Sequence, residues 1–288
     1  MPRAKGRREA RIDGSSQGDA GESAPHGRLS SPKTVRDTLL LLLSAAAGCV
    51  DALSYLGLGQ VFTANMTGNT VLFGIALGQA KGEEALRGGI ALGGFVLGVA
   101  GGAVITEGKL EGRSVWPRAV TVALAFELVV MVAFAVGFYL SGGVPTGEAR
   151  YLIIALSALA MGVQSTAVRS LGVGGVASTY ITGTLTSLTE QVVSRMRLPL
   201  RFRGSGEQRA KQRSTPNRNP AAILACVWMV YALGALVSGA AMLRWPSGTV
   251  FVPVVLVTLV IATAVLRFRR YQHEEGPKSL SERRIEEV

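Results

Sequence analysis

Three acids lie where acids are rare. Asp51, Glu127 and Glu190 each interrupt a long apolar stretch. A carboxylate at the centre of a hydrocarbon layer costs about 2.5–3.5 kcal/mol on insertion scales, so each needs a partner, a proton or water. Functional use is the first reading, because a proton-coupled carrier requires a titrating group inside the membrane. The competing reading is a structural hydrogen bond between helices. Gln164 and Arg169 are candidate partners for these acids.

A second set of polar residues repeats. Thr63-Ala64-Asn65-Met66-Thr67-Gly68-Asn69 parallels Ser178-Thr179-Tyr180-Ile181-Thr182-Gly183-Thr184, and a Gly-rich run precedes each. Lipid-facing helices do not tolerate such polarity, so both stretches must be lined by protein or water. Gly68 and Gly183 permit a helix to break or a neighbour to approach closely. A helix restarting there directs free N–H groups and a positive dipole end at the membrane midplane, which suits an anion or a polar solute. Asn65, Thr67, Gly68, Asn69, Thr182, Gly183 and Thr184 are therefore the expected substrate-binding residues. Tight helix packing by small residues is the alternative. Thr179, Thr182, Thr186 and Glu190 are spaced 3, 4 and 4 residues apart, on one helix face.

The elements that position these residues are apolar segments at about 37–58, 61–80, 88–106, 118–140, 151–172, 176–195, 220–243 and 248–268. Residues 1–34 are polar and expected to be disordered. Residues 195–219 form a basic loop with eight Lys/Arg against one acid, ending before Pro220, a good first helical position. Residues 269–288 are a charged tail. Gly94, Gly98 and Gly102 make a small-residue face for close helix crossing, echoed by Gly234 and Ser238. Trp116, Tyr139, Tyr151 and Trp245 lie at segment ends, as interface anchors do.

The chain has 288 residues, 48% hydrophobic and only 17% charged, with a mean hydropathy of +0.34. A soluble domain carries about 25% charge. The expected class is an all-α membrane protein, a polytopic helical bundle with six to eight transmembrane segments. Net charge +11 does not indicate nucleic acid, because the basic residues cluster beside apolar segments, where they orient a membrane protein and meet anionic headgroups. Two cysteines make no disulfide framework, and both histidines lie in polar tails. No nucleotide fingerprint, metal cluster or nucleophile-base set is present, so neither an enzyme nor a cofactor is expected.

The segments after the Thr-Gly runs also match: Phe95-Val96-Leu97-Gly98 resembles Tyr231-Ala232-Leu233-Gly234. The chain is thus expected to hold two related halves, 35–140 and 150–268, with broken or dipping helices at segments 2 and 6. If those segments only dip, the halves are inverted, and 26 of the 30 Lys and Arg fall on the side of the termini. If all eight segments span, 25 do. Both arrangements put the termini and the basic loop in the cytoplasm.

Gly48-Cys49-Val50-Asp51-Ala52 leading to Phe62-Thr63-Ala64-Asn65-Met66-Thr67-Gly68-Asn69 resembles the signature of the bacterial YoaK family, domain of unknown function 1275. Gly162-Val163-Gln164 through Thr182-Gly183-Thr184 resembles its second signature. The likeness covers about residues 37–268. It implies a multi-span inner-membrane protein of uncharacterised activity and brings no catalytic residues. Three functions are then open: a secondary transporter of a small polar or anionic solute, a channel or facilitator, and a non-transporting scaffold or sensor.

Overall fold

The computed structural model describes residues 31–107, 115–172, 189 and 220–283, with side chains described up to 268. The helices are α1 (Pro32–Gly57), α2 (Met66–Gly78), α3 (Gly82–Thr106), α4 (Arg118–Leu140), α5 (Gly147–Ser170), α6 (Pro220–Met242) and α7 (Phe251–Arg283), the last entered through a 3₁₀ turn at Gly248–Val250. Six of them are long and apolar enough to cross a membrane, whereas α2 is not. Its 13 residues rise about 20 Å, short of a hydrocarbon core about 30 Å thick. The chain is thus a polytopic helical membrane protein.

Pro32 and Pro220 open α1 and α6, where a missing N–H costs nothing. Pro32 therefore draws 32–34 into α1, although those residues were expected in the disordered tail. The helix α7 likewise continues past 268 into the charged tail. In α1, Leu39, Leu40, Leu43, Ala46, Ala47, Val50 and Leu53 recur at helical spacing, and all are buried.

Close glycine crossings fix which helices touch. Gly98 of α3 abuts the Leu159 carbonyl of α5, and Gly162 of α5 abuts the Phe95 carbonyl of α3. Gly94 meets Ala155 and Gly102 meets Val163, so α3 and α5 run parallel. The same arrangement joins α1 to α6: Gly48 abuts the Tyr231 carbonyl, and Gly234 abuts the Ala45 carbonyl. A side chain at any of these four glycines would overlap backbone, which cannot yield cheaply.

The remaining contacts set the directions. Gly137 of α4 lies beside Ile153, so α4 and α5 are antiparallel. Trp116 stacks on Phe268 with ring centroids 5.5 Å apart, and Tyr139 packs on Phe251 at 5.6 Å, so α4 and α7 are antiparallel. Gly57 reaches Phe138, which puts the ends of α1 and α4 together. Helices α1, α4 and α6 thus run one way, and α3, α5 and α7 the other. Trp116, expected as an interface anchor, is instead buried, with Nε1 donating to Thr121 Oγ1 at 2.9 Å.

Between α1 and α3 the chain dips. It turns at Gly59 and Gln60, both at positive φ, and runs back along α1 until Thr63–Asn65 meet Asp51. Helix α2 then returns toward the end it came from. Gly88 of α3 abuts Phe73, and Gly59 abuts Arg87. The break in segment 2 lies across 58–65 rather than at the expected Gly68, which sits in the first turn of α2. Segment 6, with Thr182, Gly183, Thr184 and Glu190, and the basic loop 195–219 lie outside the described residues.

Candidate functional site: a buried carboxylate clamp and an open cleft

Asp51 is buried six residues before the end of α1. Its Oδ1 accepts three consecutive backbone N–H groups, from Thr63 at 2.9 Å, Ala64 at 2.7 Å and Asn65 at 3.3 Å. Its Oδ2 accepts the Tyr231 hydroxyl from α6 at 2.5 Å. Successive N–H groups converging on one oxygen form an anion-holding concavity, and here the protein fills it with its own carboxylate. Thr63 adds a hydroxyl contact to Ser157 of α5 at 2.9 Å and a longer one to Ser54 at 3.4 Å.

The asparagines of the Thr-Gly motif hold the same loop. Asn65 is the N-cap of α2, its Oδ1 accepting from the Gly68 N–H at 3.2 Å. Asn69 is buried and turns back on Phe62, accepting its N–H at 2.8 Å and donating to its carbonyl. Thr67 is exposed at the start of α2. Asp51, Asn65 and Asn69 are thus brought together around one turn of backbone, and Thr67 and Gly68 follow it.

Glu127 is different. It lies fully buried in α4, and neither carboxylate oxygen has a hydrogen-bond partner among the described residues. From the pairing of Gly137 with Ile153, its level in α5 is that of Val163 and Gln164. Gln164 donates to the Leu43 carbonyl at 3.0 Å, while its own Oε1 is unpartnered. Among the described residues, Asp51 and Glu127 are the buried acids. One is saturated with donors and the other has none.

Below the N-terminus of α2 is a cleft of about 520 Å³ between α2, α3 and α5. Thr67, Ser165, Thr166 and Arg169 supply its polar groups, and Phe95, Val96 and Val99 its main apolar wall. Tyr231, Ser157 and Ser165 did not stand out in the sequence. The signal for Tyr231 was present, since it opens the stretch that matches Phe95–Gly98. Among the described residues no group of acids, histidines and cysteines is placed to hold a metal.

Residues 39–263 match a family described as "Protein of unknown function (DUF1275)". The chain is 38% identical over 232 residues to the UPF0700 transmembrane protein YoaK of Bacillus subtilis (strain 168), an alignment covering 81% of this chain and 95% of that one. No solved structure matches it. The Asp51 clamp and the loop it holds lie within the matched region, and the chain belongs to the DUF1275 family of multi-span transmembrane proteins.

Proposed function

We propose that this protein is a secondary transporter of the bacterial inner membrane, moving a small polar or anionic solute with proton exchange at a buried carboxyl. The observation that carries the reading is the short helix α2, whose N-terminus is held inside the bundle by Asp51. Discontinuous helices that end near the membrane midplane are how many carriers present free N–H groups to a solute. Glu127 supplies the second requirement. A carboxyl with no donor among the described residues takes up or releases a proton without breaking a hydrogen bond to them. Asp51, saturated by four donors, serves the reading better as the clamp than as the titrating group.

Two matching halves, inverted relative to each other, complete the proposal. Gly48 and Gly162 occupy equivalent places in α1 and α5, and Gly98 and Gly234 in α3 and α6. The first helix of each half then packs on the third-span helix of the other. The reading assigns no catalytic residue and no cofactor.

The test is proton-coupled flux in liposomes containing the purified protein, screened over small organic and inorganic anions and neutral polar solutes. The expected result is uptake driven by a pH gradient, lost in Glu127→Gln. Uptake down a solute gradient that ignores pH would favour a facilitator, a reading the dipping α2 also supports. The absence of flux for every solute class would leave a scaffold or sensor.

A further inference from the structure

We infer that the cleft beneath α2 binds a small organic anion with one charged end and an apolar body. This rests on the carrier reading and names the solute class for it.

Three observations give the charged end its place. The α2 helix points its N-terminus into the cleft, and the Thr67 N–H has no acceptor among the described residues. Asn65 and Asn69 satisfy their own turn, so the cap leaves this donor open. Ser165 is 4% exposed, lines the cleft, and its hydroxyl makes no hydrogen bond to the described residues. A hydroxyl in that position favours a polar ligand atom opposite it. Arg169 lines the same cleft from the last turn of α5. It has a contact within the protein, yet a guanidinium carries five donors and can serve two acceptors at once. None of the described lining residues is acidic.

The opposite wall is made by Phe95, Val96, Val99 and Ala103 of α3. Few polar groups against an apolar wall, in a cleft of several hundred Å³, is the pattern of a small-molecule site. A fully hydrated inorganic ion gains nothing from that wall, whereas a carboxylate on a hydrocarbon or aryl body does.

The comparison of the two glycine crossings points the same way. Asp51 stands three residues after Gly48, and Ser165 three after Gly162. Tyr231 stands three before Gly234, and Phe95 three before Gly98. At one crossing the protein provides both the carboxylate and the hydroxyl that binds it. At the other, the described residues provide neither, and Arg169 and Ser165 line the cleft beside it. The ligand brings the carboxylate that the described residues of this crossing do not supply.

The test is calorimetric titration of the purified full chain in detergent with benzoate, and with benzamide and benzylamine as neutral and cationic isosteres. The expected result is saturable benzoate binding, with both isosteres at least about tenfold weaker. Arg169→Gln and Ser165→Ala should each weaken benzoate several-fold, and Val99→Trp should abolish its binding by filling the cleft. Ala103→Leu is a milder filling variant on the same wall, should Val99→Trp fail to fold. Equal binding of benzamide, no saturable benzoate binding at millimolar concentration, or binding indifferent to the filling variants would overturn the proposal. Because the titration needs neither membrane nor gradient, benzoate binding without flux would sink the carrier reading alone. Flux without benzoate binding would sink this site alone.

Discussion

Asp51 ties together two stretches far apart in the chain, the loop 63–65 and Tyr231 of α6. Removing its carboxylate strands four donors in a buried place. Each unsatisfied donor costs about 1–3 kcal/mol, so Asp51→Ala should lose several kcal/mol of stability. Tyr231→Phe removes one hydrogen bond to a charged group and should lose about 1.5–3 kcal/mol. Because both act on one network, the double variant should lose less than the sum. Thermal unfolding in detergent measures all three, and an Asp51→Ala protein that melts like the wild type would refute the clamp. The sequence showed Asp51 and Glu127 as acids in apolar runs. It did not show that one is saturated and the other bare. That difference depends on Tyr231, 180 residues away, and on a loop whose N–H groups carry no signature of their own.

At the scale of elements, the glycine faces were legible and their partners were not. The spacing of Gly94, Gly98 and Gly102 marks a close crossing whichever helix lies opposite. That α3 crosses α5 while α1 crosses α6 follows only from the folded chain. Gly98→Leu should therefore disrupt folding, because its side chain would meet the Leu159 carbonyl. Gly93→Leu, with nothing within 4 Å, should be tolerated. Yield and monodispersity in detergent compare them, and equal behaviour would contradict the crossing. The start of α2 was misplaced by the sequence for a related reason. Gly68 is the residue that permits a break, but the break is imposed nearby, where Asp51 draws Thr63–Asn65 out of helical hydrogen bonding.

At the scale of the whole molecule, the alternation of helix directions leaves one end of the bundle with the start of α1, the end of α5 and the start of α6. The Lys- and Arg-rich stretches 1–37 and 195–219 adjoin these helix ends in sequence, and on the proposed orientation the positive-inside rule turns that end to the cytoplasm. The stretch 195–219 carries eight Lys and Arg, each of which contributes about 1 kcal/mol of attraction when held near anionic headgroups. A peptide of that sequence should bind anionic liposomes and be released by salt, and binding indifferent to both would remove the assignment. The class and the number of long helices were legible because a membrane fixes helix length. Whether segment 2 crosses or dips was not, because the Lys and Arg counts of the two arrangements differ by one.

Helix α2 and the loop before it enter and leave the bundle at the same end. In a Cys226→Ser background, Gln60→Cys and Gln79→Cys flank that dip, one before α2 and one after it. A membrane-impermeant maleimide applied to intact cells should label both. If Gln60→Cys is labelled from outside while Gln79→Cys is labelled only after the membrane is opened, α2 crosses, and the inverted, clamp-held arrangement proposed here is wrong.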